Sequence, residues 1–103
     1  MGHLVYGPDA HSYTIDDRTI AHLKAAVFSK LRRGETFTLT LGSSVTGRGR
    51  ETIWITQSIP LRFVSDEDAP VMLNRQWVED LVAAANTNSG MRIVAEPVLA
   101  LAS

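Results

Sequence analysis

Residues 19–41 read TIAHLKAAVFSKLRRGETFTLTL, and the period of their apolar positions changes at Gly34. Before it, Ile20, Leu23, Val27 and Leu31 recur at spacings of three and four, which lays one apolar stripe along a helix. After it, Phe37, Leu39 and Leu41 alternate with Thr36, Thr38 and Thr40, the period of a strand with one buried and one wet face. Asp16 and Asp17 stand just ahead of the helix, where a short carboxylate accepts orphan backbone N–H groups and favours the positive helix end. Arg32 and Arg33 suit the negative end, and Gly34 suits the left-handed position just past it. A one-faced helix feeding a one-faced strand calls for a helix layer against a sheet.

The flanking segments extend this pattern. Leu4-Val5-Tyr6 and Tyr13-Thr14-Ile15 read as short strands joined through the turn cluster Gly7-Pro8-Asp9. Gly42 to Arg50 is a polar, glycine-rich loop. Residues 52–56 alternate again, and Leu61-Arg62-Phe63 once more beyond a turn near Pro60. Three strands in series with such connections predict an antiparallel meander. Asp66-Glu67-Asp68 reads as a solvated loop, and Asn74 as the cap of a second helix with Val78, Leu81, Val82 and Ala85 on its inner stripe. Gly90 follows its end, residues 91–94 read as a last strand, and residues 97–103 as a loose apolar tail. The expectation is one α+β domain over residues 1–103. It is a two-layer sandwich of order ββαβββαβ, with a mainly antiparallel sheet, two helices on one face and the other face open.

Composition narrows the function classes. The 103 residues lack cysteine, which excludes a disulfide framework, thiolate zinc sites and thiol nucleophiles. His3, His11 and His22 share no metal-ligand spacing, Ser43 and Ser44 lack a nucleophile-elbow context, and Asp16-Asp17 is explained by capping. No catalytic residue, cofactor or metal is therefore expected. The start lacks the pattern of a signal peptide, and no apolar run approaches the roughly 20 residues that span a bilayer, so a cytoplasmic protein without a membrane partner is expected.

Charge is segregated. From Arg18 to Arg62 there are eight basic and two acidic residues, an excess of +6, against −3 before and −4 after, for a net charge of −1. Two arginine segments, residues 31–34 (Leu-Arg-Arg-Gly) and 47–50 (Gly-Arg-Gly-Arg), bracket the strand pattern at 36–41. If Ile53 and Ile55 face the helices, Trp54 lies on the open face, and the same alternation turns Arg62 and Arg92 outward. A sheet face with one large aromatic and nearby guanidinium groups suits single-stranded nucleic acid, whose bases stack while arginine neutralises phosphate. On this reading Arg32, Arg33, Arg48 and Arg50 contact phosphate, Trp54 is the stacking platform, and Arg62 and Arg92 flank it. The same threonine-rich face with a central tryptophan equally suits a homodimer or another protein partner.

With these residues in hand, the chain resembles a family of short actinobacterial proteins often labelled "ATP-dependent DNA ligase" in genomes. The resemblance rests on Tyr6-Gly7, Asp16-Asp17-Arg18, residues 30–35 (Lys-Leu-Arg-Arg-Gly-Glu), residues 47–55 (Gly-Arg-Gly-Arg-Glu-Thr-Ile-Trp-Ile), Ile59-Pro60-Leu61, and Asn74-Arg75 with Trp77. It covers nearly the whole length and leads to no established activity. A ligase adenylylates the lysine of a Lys-x-Asp-Gly motif, whereas the two lysines here begin Lys-Ala-Ala-Val (Lys24) and Lys-Leu-Arg-Arg (Lys30). The label therefore implies at most an accessory piece related to such an enzyme.

Overall fold

The computed structural model describes residues 1–98. Its elements are β1 (Gly2–Tyr6), β2 (His11–Ile15), α1 (Asp17–Arg32), β3 (Phe37–Leu41), α2 (Ser43–Thr46), β4 (Glu51–Ile55), β5 (Leu61–Val64), α3 (Arg75–Ala85) and β6 (Met91–Arg92). The α+β class, the mainly antiparallel pairing and the two long helices agree with the expectation. Residues 99–103, most of the expected tail, lie outside the described residues.

The sheet departs from the expected meander. It is divided into two three-stranded sheets, with strand orders β2-β1-β5 and β4-β3-β6. β3 and β4 form the expected hairpin, but β5 leaves it and pairs antiparallel with β1, Leu61 opposite Tyr6 and Phe63 opposite Leu4. The Gly7 amide donates to the Pro60 carbonyl at 2.9 Å, fixing the point where the chain crosses between sheets. β6 then joins β3 in parallel, Met91 opposite Leu39 and Arg92 opposite Thr40. The last strand is two residues long rather than four, and the 42–50 loop contains one helical turn, α2, that periodicity cannot register.

Both sheets turn their apolar faces to one core. Leu4, Tyr13 and Ile15 come from the first sheet, and Phe37, Leu39, Leu41, Ile53, Ile55 and Met91 from the second. α1 adds Ile20, Leu23, Ala26 and Val27, and α3 adds Trp77, Leu81 and Ala85. Leu39 is fully buried on the central strand, so truncating it to alanine costs on the order of 2–5 kcal/mol. The Asp16 side chain accepts the Thr19 amide at 3.0 Å and its hydroxyl at 2.8 Å, and Asn74 caps α3 through the Gln76 amide at 3.1 Å. Arg33 closes α1, and Gly34 follows with φ +74°.

Glycine is required at Gly90, which delivers the chain into β6. Its φ is +76°, and a Cβ there collides with the Thr38 hydroxyl oxygen and meets the Thr38 carbonyl at 3.0 Å. The close approach lets β6 lie along β3 and places Arg92 beside Thr40.

Candidate functional site

The outer face of the second sheet is built by its registers. Trp54 stands opposite Thr38, Thr52 opposite Thr40, and Thr40 opposite Arg92. Since Ile53 and Ile55 are buried, Trp54 is turned out and is 53% exposed. The Thr40 and Thr52 hydroxyls meet at 2.8 Å, giving the middle of the face a fixed polar surface. Two strand spacings and two residues separate Trp54 from Arg92, roughly 12 Å on standard sheet geometry.

The two arginine segments lie at opposite ends of the β3–β4 hairpin. Gln57, in the turn after β4, donates through Nε2 to the Leu31 carbonyl at 3.0 Å, which sets the end of α1, with Arg32 and Arg33, beside the Trp54 end of the strand. Arg48 and Arg50 lie at the other end, after α2. That loop is pinned: the Thr46 hydroxyl donates to the carbonyls of Arg48 and of Gly49 (2.7 Å), and Oγ1 accepts the Arg48 amide at 3.2 Å.

The carboxylates of the basic segment are engaged elsewhere. Glu35 pairs with the Lys30 ammonium at 3.1 Å. Glu51 accepts the Tyr13 hydroxyl; burial, and then this hydrogen bond, pushes the Tyr13 phenol up from its ordinary value. Among the described residues Arg18 is the only arginine in an ion pair, with Glu96 at 2.6 Å. Arg32, Arg33, Arg48, Arg50, Arg62 and Arg92 are exposed and make no ion pair among the described residues.

One residue does not join the group. Arg62 is turned out as expected, but β5 belongs to the other sheet, where Arg62 stands opposite Val5, itself opposite Ser12. It does not flank Trp54. The reason is the crossing at Pro60, which removes β5 from the hairpin. The sheets do touch at this end, where the Tyr6 hydroxyl donates to the Trp54 carbonyl at 2.6 Å and fixes β1 against β4.

Sequence reasoning missed a convergence at the opposite end. Arg50, from the loop, and Arg92, from β6, both line a cavity of about 540 Å³ with Ser44 and Ser89. No short-range signal marks it, because it depends on β6 returning parallel to β3. Lys30, in the last turn of α1, is buried and also donates to the Asn86 side chain at the C-terminal cap of α3. No helix among the described residues is long and apolar enough to cross a membrane, and no three of their metal-ligating side chains cluster.

Comparison with known proteins finds one family model that covers most of the chain. A family model described as "Domain of unknown function (DUF7882)" matches residues 1–96. No curated protein and no solved structure matches the chain.

Proposed function

The chain belongs to the DUF7882 family, and we propose from its own geometry that it is a small non-enzymatic domain that binds a polyanion, single-stranded nucleic acid, across the outer face of the β4-β3-β6 sheet. The observation that carries this reading is Trp54. It is a half-exposed indole on a threonine-covered sheet face, with arginines at both ends of its hairpin and no carboxylate pairing them among the described residues. A base stacked on an exposed aromatic contributes about 1–3 kcal/mol and tolerates any sequence. Arg92 on the same face, Arg48 and Arg50 at one end, and Arg32 and Arg33 at the other supply phosphate contacts along a strand of five residues. Arg62 lies off this track.

Binding of this kind draws on counterion release and weakens as salt rises, with a slope of roughly 0.7 per phosphate neutralised on a single strand. Arg48→Ala with Arg50→Ala is therefore expected to weaken oligonucleotide binding and flatten the log–log salt dependence by about 1.4. Anisotropy of a labelled oligonucleotide at several salt concentrations checks this. An unchanged slope removes the loop from the interface.

A second reading uses the same face for a second copy of the chain. β4 is an edge strand in the order β4-β3-β6, and an edge carrying an exposed tryptophan suits self-association. The Tyr6 hydroxyl already occupies the Trp54 carbonyl, however, so side-to-side extension of that edge is obstructed, and a dimer here packs face to face.

A further inference from the structure

The cavity of about 540 Å³ opens where the end of β2, the start of α1, the α2 turn and the chain around β6 converge. Arg50 and Arg92 are the guanidinium groups of its lining, which Met1 also joins, and neither arginine meets a carboxylate among the described residues. The acid in the lining is Asp16, and its two oxygens are occupied by the Thr19 amide and hydroxyl. The Met1 amine nearby is held by Asp17 and Asp66, each at 3.3 Å. Two guanidinium groups therefore share a half-enclosed space with a single carboxylate, Asp16, which is hydrogen-bonded within its own helix turn and pairs with neither, so positive charge is in excess. Ser44 and Ser89 add hydroxyl donors, and Ile15, Val45 and Ile93 add apolar wall.

This combination fits a ligand with a doubly charged head and an apolar body. Guanidinium forks bind phosphate oxygens in bidentate fashion, and two of them match a phosphomonoester dianion. Bare phosphate leaves the apolar wall unused. The volume lies within the range of small-molecule sites, roughly 300–1,000 Å³.

We infer that this cavity binds a small organic phosphate of about mononucleotide size, with the phosphate between Arg50 and Arg92 and the organic part against Ile15, Val45 and Ile93. Trp54 is not part of its lining, so the site does not rest on the nucleic-acid reading, although Arg50 and Arg92 serve both. A phosphomonoester is presented by a free nucleotide and by the 5′-phosphorylated end of a strand, and the test separates the two.

The test titrates the isotope-labelled chain with AMP, adenosine, inorganic phosphate and oligonucleotides with and without a 5′-phosphate, following backbone amides by NMR. AMP is expected to shift the amides of Ser44, Arg50, Ser89 and Arg92 saturably, with adenosine silent and inorganic phosphate weaker. Arg92→Ala is expected to lower AMP affinity roughly tenfold or more, the loss of a charge-assisted hydrogen bond. Ser89→Glu, in an exposed turn, places a carboxylate against the phosphate and abolishes AMP binding, whereas Trp54→Ala leaves it unchanged while weakening oligonucleotide binding. The inference is overturned by the absence of saturable shifts with AMP at millimolar concentration, by adenosine binding as tightly, or by AMP binding that survives Ser89→Glu. Shifts seen with a 5′-phosphorylated oligonucleotide but not with AMP also overturn it, because the site then reads strand ends.

Discussion

His22 is fully buried on α1, and both of its ring nitrogens are occupied. The Asn74 amide donates to Nε2 at 2.7 Å, so the proton sits on Nδ1, which donates to the Arg18 carbonyl at 2.7 Å. The ring packs against Trp77 with centroids 4.4 Å apart, and the Trp77 indole N–H donates to the Val94 carbonyl at 2.9 Å. This is a structural histidine joining α1 to the capping residue of α3. His22→Phe keeps the packing volume but leaves the Asn74 amide without an acceptor, an expected loss of about 1–3 kcal/mol measurable by urea unfolding. No loss would mean that water or a shifted backbone satisfies the amide. The role was illegible in the sequence because the partner is 52 residues away. Trp54 was legible, because the alternation of Ile53 and Ile55 that exposes it is local.

α1 and its surroundings show what adjacent residues can and cannot specify. The capping Asp16, the apolar stripe and Gly34 all lie within the helix or next to it, and each took its expected place. The partition of strands did not follow, because nothing in residues 61–64 distinguishes pairing with β4 from pairing with β1. The crossing at Pro60 and the bond from Gly7 fix that choice across the molecule. The same long-range wiring binds the segment after β6 to the start of α1. Arg18 reaches Glu96 through Nε at 2.7 Å and Nη2 at 2.6 Å, and Asn74 Nδ2 donates to the same carboxylate at 3.0 Å. The hydrogen bond from Arg18, then that from Asn74, holds Glu96 at about 2, well below its ordinary 4.5. A carboxyl depressed on folding stabilises fully above its unfolded value and loses that contribution as pH falls through the folded one. The stability advantage of the native chain over Glu96→Gln is therefore expected to be constant near neutrality and to shrink between about pH 4.5 and 2. Urea midpoints of both proteins across that window check it. A gap that stays constant down to pH 2 would show that Glu96 acts through shape rather than charge.

Over the whole molecule, near-neutral charge conceals a partition that the fold turns into geometry. Glu35 pairs with Lys30 and Glu51 accepts the Tyr13 hydroxyl, while the arginines around the β3–β4 hairpin stay exposed. The sequence separated basic from acidic segments, but only the fold shows which carboxylates are engaged. It also removes Arg62 to the other sheet and brings Arg50 to Arg92. The central claim is that the outer face of the second sheet receives bases on Trp54. The direct measurement is the fluorescence of a Trp77→Phe variant, in which Trp54 alone emits, during titration with a single-stranded oligonucleotide at low and moderate salt. Red-shifted emission from the free protein is expected, with saturable quenching that fades as salt is added. Blue-shifted emission at every protein concentration, unresponsive to the oligonucleotide at either salt, would contradict the claim and show that Trp54 is already buried in the free protein.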